Sequence, residues 1–277
     1  MKTDASPKHF KTLSQLPETD TMPFMFVGHG SPMNAITDNE FSRQWAATGK
    51  SLPRPKAILC ISAHWLTPGS TQVTAMDLPK TIHDFGGFPK ALFDAQYPAP
   101  GAPDYAQKTI ELIRKAEVVA DYEWGLDHGT WSVLIKMFPE ADVPVYQLSI
   151  DYAKEPRYHY ELARELYELR NKGVLILGSG NLVHNLRTLT MDESEQYDWA
   201  VEFDETMTSF MDNGDDMGVV DFLKMGTVAK LAHPTHDHFL PLIYALGLRS
   251  EKDRIQYFNS KILAGSISMK SIIAHPE

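Results

Sequence analysis

The stretch that runs from PVYQLSI (144–150) to VLILGS (174–179) decides the fold class of this chain. Both ends are short and almost continuously apolar, which is the pattern of strands buried on both faces of a sheet. The leucines between them recur at helical spacing, at Leu162, Leu166 and Leu169. Pro156 suits the first turn of this helix, and Gly173 follows its end. A strand, a helix and a strand with short connections predict a right-handed crossover and parallel pairing of the two strands.

The rest of the chain repeats these two patterns. Three further apolar runs predict strands of the same covered sheet: PFMFV (23–27), KAILCIS (56–62) and QVTAM (72–76). Helical patterns lie at 38–51, at 103–117 and in the acidic segment 192–225. Asp38 is the expected N-cap of the first of these helices. We therefore predict an α/β protein, a single three-layer α/β/α domain around a largely parallel central sheet.

Length and composition set limits on partners. Acidic residues outnumber basic ones by 36 to 26 among 277 residues, and no block of Lys or Arg interrupts that balance. Nucleic acid and anionic membranes are therefore poor partners. The single cysteine, Cys60, lies in an apolar run and predicts a buried free thiol. The chain has no long apolar span, so we expect a cytoplasmic protein with a domain at 22–277 and a flexible extension at 1–21.

Histidines stand where three predicted strands end. His29 follows PFMFV, His64 follows KAILCIS, and His184 comes shortly after VLILGS. Parallel strands deliver the residues after their carboxyl ends to one crevice. A single histidine at such a point is more often structural, but three at one sheet edge favour a shared ligand. Neutral imidazoles gathered in a dry crevice need a partner for their lone pairs, and a divalent metal is one.

The segment HPTHDHFLP (233–241) supplies more histidines. His233, His236 and His238 lie there, and we expect one of them to complete the strand-end site. His236 either binds metal together with His238 or points to solvent, and the sequence leaves both open.

Two other histidines lie among aromatic residues. His128 in EWGLDHGTW (123–131) suits either an ordinary packed loop or a hydrogen-bond donor to a bound ring or oxygen. His83 in TIHDFGGFP (81–89) suits a lid or a pocket wall. A serine nucleophile elbow, a full dinucleotide fingerprint and a phosphate-binding Walker motif do not occur in the sequence.

Nine motifs taken in order resemble the 4,5-DOPA extradiol dioxygenase family, a branch of the LigB-type class III extradiol dioxygenases. They are GHGSPM, SAHW, TIHDFGGFP, YPAPG, WGLDHGTW, VLIKMFP, QLSID, GSGNLVHNLR and HFLPLIYALG. The resemblance runs from about residue 23 to GSISM (265–269) and leaves out the N-terminal extension. Because so many separate motifs keep their order, the match is far more specific than a single pattern.

The resemblance implies one mononuclear non-haem metal, with Fe(II) for turnover and often Zn(II) in isolated protein. It implies His29, His64 and His238 as metal ligands and places His184 beside the metal, as a fourth ligand or as an acid/base. His128 would be a second-sphere histidine that hydrogen-bonds substrate or oxygen.

The implied reaction is the cleavage of a catechol by O2, with L-DOPA opened at its 4,5 bond to a muconate semialdehyde. For substrate binding we name His83, Asp127 and Arg187; the arginine directly follows the GSGNLVHN motif and is the candidate clamp for a carboxylate.

Two other function classes stay open at this point. An all-histidine ligand set suits zinc as well as iron, because non-haem iron oxygenases generally use two histidines and one carboxylate. A zinc hydrolase with His184 as base is therefore one alternative. A binding protein that keeps the pocket without turnover is the other. The oligomeric state is predicted only as a monomer or a small homo-oligomer.

Overall fold

A computed structural model describes residues 15–277 of the chain. Its strands are β1 (Phe24–Gly28), β2 (Ala57–Ser62), β3 (Leu66–Thr67), β4 (Thr71–Thr74), β5 (Val118–Asp121), β6 (Val145–Gln147), β7 (Ile150–Asp151), β8 (Val174–Gly180), β9 (Asp253–Phe258), β10 (Ile262–Leu263), β11 (Ile267–Ser268) and β12 (Ser271–Pro276). Its α-helices are α1 (Glu40–Ser51), α2 (Lys90–Phe93), α3 (Pro103–Leu112), α4 (His128–Met137), α5 (Pro156–Arg164), α6 (Tyr167–Arg170), α7 (Asp198–Asp212), α8 (Asp216–Val220), α9 (Thr227–Ala232) and α10 (Leu240–Gly247).

The central sheet has six strands in the order β6-β2-β8-β1-β12-β9. The first four run parallel, and β12 and β9 continue the sheet in antiparallel pairings. Alternate residues of β2 point to opposite sides: Leu59 and Ile61 belong to one apolar cluster, Ile58 and Cys60 to the other. Because helices cover both clusters, the predicted three-layer α/β/α architecture is confirmed. Cys60 is a buried free thiol, also as predicted.

The crossover unit forms, but its two strands do not pair with each other. β6 and β8 are both parallel to β2, which lies between them. The prediction of direct pairing was therefore wrong. β2 is buried along its whole length, and a central position hydrogen-bonds both of its edges away from water.

Two other local predictions differ in part from the structure, one about a strand and one about a helix cap. QVTAM does form a strand, but β4 pairs with β5 in a separate two-stranded ladder outside the central sheet. Asn39, not Asp38, caps α1, because its side chain and that of Ser42 bond each other's backbone N–H groups. Asp38 instead lies at the surface beside Arg43.

The predicted outer helices are shorter than their patterns. The helix expected at 103–117 ends at Leu112, where Ile113 turns to an extended conformation. The acidic segment forms α7 and then α8, separated at Gly214, whose φ of 70° breaks the helix. Within residues 15–277, no helix has both the length and the apolarity to cross a membrane.

Candidate metal centre

The carboxyl ends of three neighbouring strands carry the candidate ligands. β2, β8 and β1 are adjacent and parallel, so His64, His184 and His29 leave the sheet at the same edge. His238 reaches this edge from the loop before α10. Its carbonyl oxygen accepts a hydrogen bond of 2.9 Å from the backbone N–H of Asn181. Gly180 permits this approach, since a Cβ there would lie 2.1 Å from the same oxygen.

The rings of His29, His64 and His238 form a triangle. Their centroids are 5.0 Å apart for His29 and His64, 5.2 Å for His29 and His238, and 5.0 Å for His64 and His238. The Nε2 atoms of His29 and His64 are 3.2 Å apart. Two imidazole nitrogens this close share at most one proton, so at least one lone pair faces into the cluster.

His128 closes a further side of the cluster. Its ring centroid lies 3.8 Å from that of His64 and 5.7 Å from that of His29. One nitrogen from each of His29, His64 and His128 falls within 4.8 Å of the others, a spacing that suits a metal ion. His184 lies outside this group and stacks on His238, with centroids 3.5 Å apart.

The outer nitrogens of two rings are held by polar partners. The hydroxyl of Ser179 donates to the carbonyl oxygen of Gly129 at 2.5 Å, so it accepts from His29 Nδ1 at 3.0 Å. His238 Nδ1 donates to Asp237 Oδ2 at 2.7 Å. In both rings the proton therefore sits on Nδ1 and the Nε2 lone pair is free. This is the outer-sphere arrangement that orients metal-binding histidines.

Burial keeps the rings uncharged. It lowers the pKa of His29 and His238 well below the usual value, and neighbouring histidines lower both further. Burial and then His128 lower the pKa of His64 to about 3. Burying several neutral imidazoles with their lone pairs facing one another costs free energy unless a cation accepts those lone pairs. The donor set therefore fits a divalent metal.

Two carboxylates support the cluster from outside. Asp84 Oδ2 lies 3.0 Å from His128 Nδ1 and 3.7 Å from His64 Nδ1. Burial alone would raise the pKa of Asp84, but the contact with His128 outweighs it and holds that pKa below the usual value. Asp127 is fully buried and caps α4. Its oxygens accept from Ser62 at 2.6 Å and from the Gln147 amide at 2.7 Å.

Comparison with known proteins gives the family. The model of the catalytic LigB subunit of aromatic ring-opening dioxygenase matches residues 22–269. A protein of Escherichia coli K12 named 4,5-DOPA dioxygenase extradiol is 47% identical over 91% of this chain and 94% of its own length. One of the same name from Beta vulgaris is 36% identical over 89% and 94%. A solved structure of an uncharacterised Escherichia coli K12 protein matches with a TM-score of 0.80 and 42% identity, covering 91% of this chain and 99% of that one.

This chain belongs to the LigB family of aromatic ring-opening dioxygenases. It is an extradiol dioxygenase, as the sequence motifs indicated. Family membership decides against the hydrolase and the non-catalytic binding protein as main interpretations.

Three further residues were predicted from the sequence to bind substrate, namely His83, Asp127 and Arg187. His83 packs against Trp131 at 5.4 Å, and its Nε2 is 2.9 Å from the carbonyl oxygen of Ala95. Arg187 is exposed in the short 3-10 turn Leu186–Thr188. Asp127 is enclosed by protein donors, which favours a positioning role for it over direct contact with substrate.

The other two histidines of HPTHDHFLP make contacts with residues outside the triangle of candidate ligands. His233 is buried, and its Nε2 lies 2.9 Å from the carbonyl oxygen of Leu182. The ring of His236 packs against Phe222 at 5.4 Å. Sequence reasoning gave no role to Ser179, and it placed Asp84 only within TIHDFGGFP, the segment interpreted as a lid or a pocket wall. Ser179 at the end of β8 carried a signal, since it immediately precedes a glycine beside the predicted crevice.

Proposed function

We propose that this dioxygenase opens L-DOPA, or a closely related catechol, between C4 and C5 with O2 to give a muconate semialdehyde. Both oxygen atoms enter the product, so no external reductant is needed. The observation that carries the proposal is the triangle of neutral rings formed by His29, His64 and His238 at the sheet edge. The relatives named 4,5-DOPA dioxygenase extradiol support the choice of substrate.

His29, His64 and His238 would hold the metal, and their Nε2 lone pairs are the donors. Bound Fe(II) would supply attachment for the two adjacent catechol oxygens and the electron transfer that reaction with O2 requires. Zn(II) would occupy the same neutral donors in isolated protein. We assign these residues to a catalytic domain that spans 22–277.

The chain's own groups would move protons and orient the substrate. A catechol that binds through both oxygens must release its second hydroxyl proton. Burial lowers the pKa of His184 to about 4, so this ring is neutral at pH 7 and has a lone pair for that proton. His128 lies beside His64, and its ring meets that of Phe85 in a T-shaped contact at 5.6 Å. We assign it the hydrogen bond to substrate or oxygen.

Substrate contacts beyond the ring are assigned to three residues. Arg187 is the candidate partner of the amino-acid carboxylate, because an exposed guanidinium binds carboxylates through two parallel hydrogen bonds. His83 would form part of the pocket wall. Asp127 would act indirectly, because it holds the start of α4 and the side chains of Ser62 and Gln147 in place.

The experiment compares protein loaded with Fe(II), loaded with Zn(II), and stripped of metal, each with L-DOPA under air and under nitrogen. We expect oxygen uptake and a yellow product only with Fe(II) under air. Product formation under nitrogen, or equal turnover with Zn(II), would overturn the proposal. The same protein passed through a sizing column gives the oligomeric state, which we propose to be a monomer or a small homo-oligomer.

A further inference from the structure

We propose that Asp84 is a positioning residue that fixes the ring orientation and tautomer of His128 and braces His64 from outside the metal cluster. The inference rests on the proposed function only for its effect on turnover. The tautomer of His128 is a property of the metal-free protein and can be measured without a turnover assay.

The contacts of Asp84 with His128 are its closest within the site. One carboxylate oxygen accepts the backbone N–H of His128 at 2.9 Å, and the other lies 3.0 Å from Nδ1 of the same residue. His128 Nδ1 is buried, and in the described part of the chain no better-aligned acceptor meets it. The contact with Asp84 is within hydrogen-bonding distance, but it is not aligned as a hydrogen bond.

An ionised carboxylate only accepts hydrogen bonds. When the His128 ring carries a single proton, that proton therefore belongs on Nδ1, facing Asp84. Nε2 is then left with its lone pair, on the side where His64 lies 3.8 Å away by ring centroid. In this tautomer His128 presents a hydrogen-bond acceptor to the site.

The second oxygen of Asp84 also faces His64, at 3.7 Å from its Nδ1. This distance is longer than a direct hydrogen bond, so the interaction is electrostatic or passes through a water. It favours the proton of His64 on Nδ1 and the lone pair on Nε2, which lies 3.2 Å from His29 Nε2. One carboxylate therefore biases both rings toward inward lone pairs.

The chain just before Asp84 is held in place by hydrogen bonds of the two preceding residues, Ile82 and His83. Ile82 accepts from the indole N–H of Trp131 at 2.8 Å and donates to the carbonyl oxygen of Leu126 at 2.7 Å. His83 is bonded to the carbonyl oxygen of Ala95. Because Trp131 belongs to α4, which begins at His128, the carboxylate and the ring it supports are fixed to the same helix.

The test is the histidine tautomer in metal-free protein, measured by long-range 15N–1H NMR on 15N-histidine-labelled chain, with H128Q and H64Q used to assign the signals. In the wild type we expect His128 protonated at Nδ1. In Asp84→Asn we expect the His128 signal to move toward the Nε2-protonated form. In Asp84→Glu we expect the Nδ1-protonated form of the wild type to be restored. Asp94→Asn is the matched control, because this exposed carboxylate in the same segment pairs with Lys90.

Turnover provides the second readout. We expect Asp84→Asn to lower metal affinity or kcat by about 10- to 100-fold, the usual effect of an outer-sphere partner, with a smaller change in KM. A wild-type His128 protonated at Nε2, or an unchanged tautomer in a folded D84N protein, would overturn the inference. If D84N fails to fold, the tautomer of His128 in the wild-type spectrum still tests the inference. If the spectra agree but L-DOPA is not opened, the proposed function fails and the role of Asp84 stands.

Discussion

The ring of His184 lies flat on the ring of His238, with 3.5 Å between centroids and 5° between planes. His238 belongs to the triangle of candidate ligands, whereas His184 packs against its outer face. We therefore propose that the two rings of this stacked pair have different roles, with metal binding by His238 and proton transfer by His184. This assignment also explains why the two replacements should give different results.

We expect His238→Ala to lose most of the bound metal and His184→Ala to keep more of it, while turnover falls about 10²- to 10⁴-fold in H184A as for a lost acid/base. Elemental analysis and oxygen uptake with L-DOPA measure the two effects. His236→Ala is the control, since that ring packs on Phe222 away from the cluster. Equal metal loss in H184A and H238A would make His184 a ligand.

Ser179 holds His29 in the tautomer that carries its proton on Nδ1. Replacing it with alanine removes the acceptor 3.0 Å from Nδ1, and we expect metal affinity to fall about 10- to 100-fold. Titration of metal-free protein with Zn(II) gives the affinity directly. Ser132→Ala is the matched control. Ser132 Oγ is buried without a hydrogen-bond partner, so its removal breaks no hydrogen bond. Similar affinities in both variants would contradict this role.

Gly129 keeps space free beside His64. A Cβ at this position would lie 2.4 Å from Ser62 Oγ and 2.9 Å from His64 Cδ2. We expect Gly129→Ala to displace the His64 ring and to destabilise the fold by about 1–3 kcal/mol, the usual cost of overpacking. Gly86→Ala should stay within about 0.5 kcal/mol, because nothing lies within 4 Å of its added Cβ. Urea unfolding of both variants measures the difference, and equal midpoints would count against the steric account.

Acid should destabilise the metal-free protein partly through His159. This ring is fully buried and bonded to the Tyr244 hydroxyl, and burial lowers its pKa to about 4. The unfolded chain binds a proton near pH 6.5 and the folded chain only near pH 4, so stability falls as the pH drops through that window. The full effect is roughly 3 kcal/mol.

His159→Gln removes the ionisable ring, so the variant does not take up this proton when it unfolds. We expect its unfolding free energy to fall less than that of the wild type between pH 7 and pH 4.5. Both proteins keep the same metal-site histidines, so the contribution of the cluster cancels in the comparison. Parallel stability curves for the two proteins would show that His159 takes up its proton at the same pH in the folded and the unfolded chain.

The buried pair of Arg170 and Asp253 joins the crossover unit to the C-terminal strands. Two guanidinium nitrogens reach the carboxylate at 2.9 and 2.5 Å, and both side chains are fully buried. We expect Asp253→Ala to cost about 3–5 kcal/mol, because it leaves a buried charge unpaired. Asp38→Ala, which breaks the exposed pair with Arg43, should cost less than about 1 kcal/mol. Urea denaturation at neutral pH distinguishes them.

Local pattern predicted much of the fold. The helix after PVYQLSI begins at Pro156 and ends before Gly173 as expected, but it is divided into α5 and α6, with Leu166 between them. β9 was missed. Its alternating exposure and charged residues are those of an edge strand, and these leave only a weak apolar signal.

The sequence by itself determined that His29, His64 and His184 stand at strand ends, since a strand and its end are set by neighbouring residues in the chain. Only the tertiary structure decided which strand lies beside which, and which ring meets which. β2 enters between β6 and β8, and Asp84 reaches His128 across 44 positions of chain. Such pairings depend on competition among many distant apolar and polar surfaces for the same partners, and no local pattern carries that information.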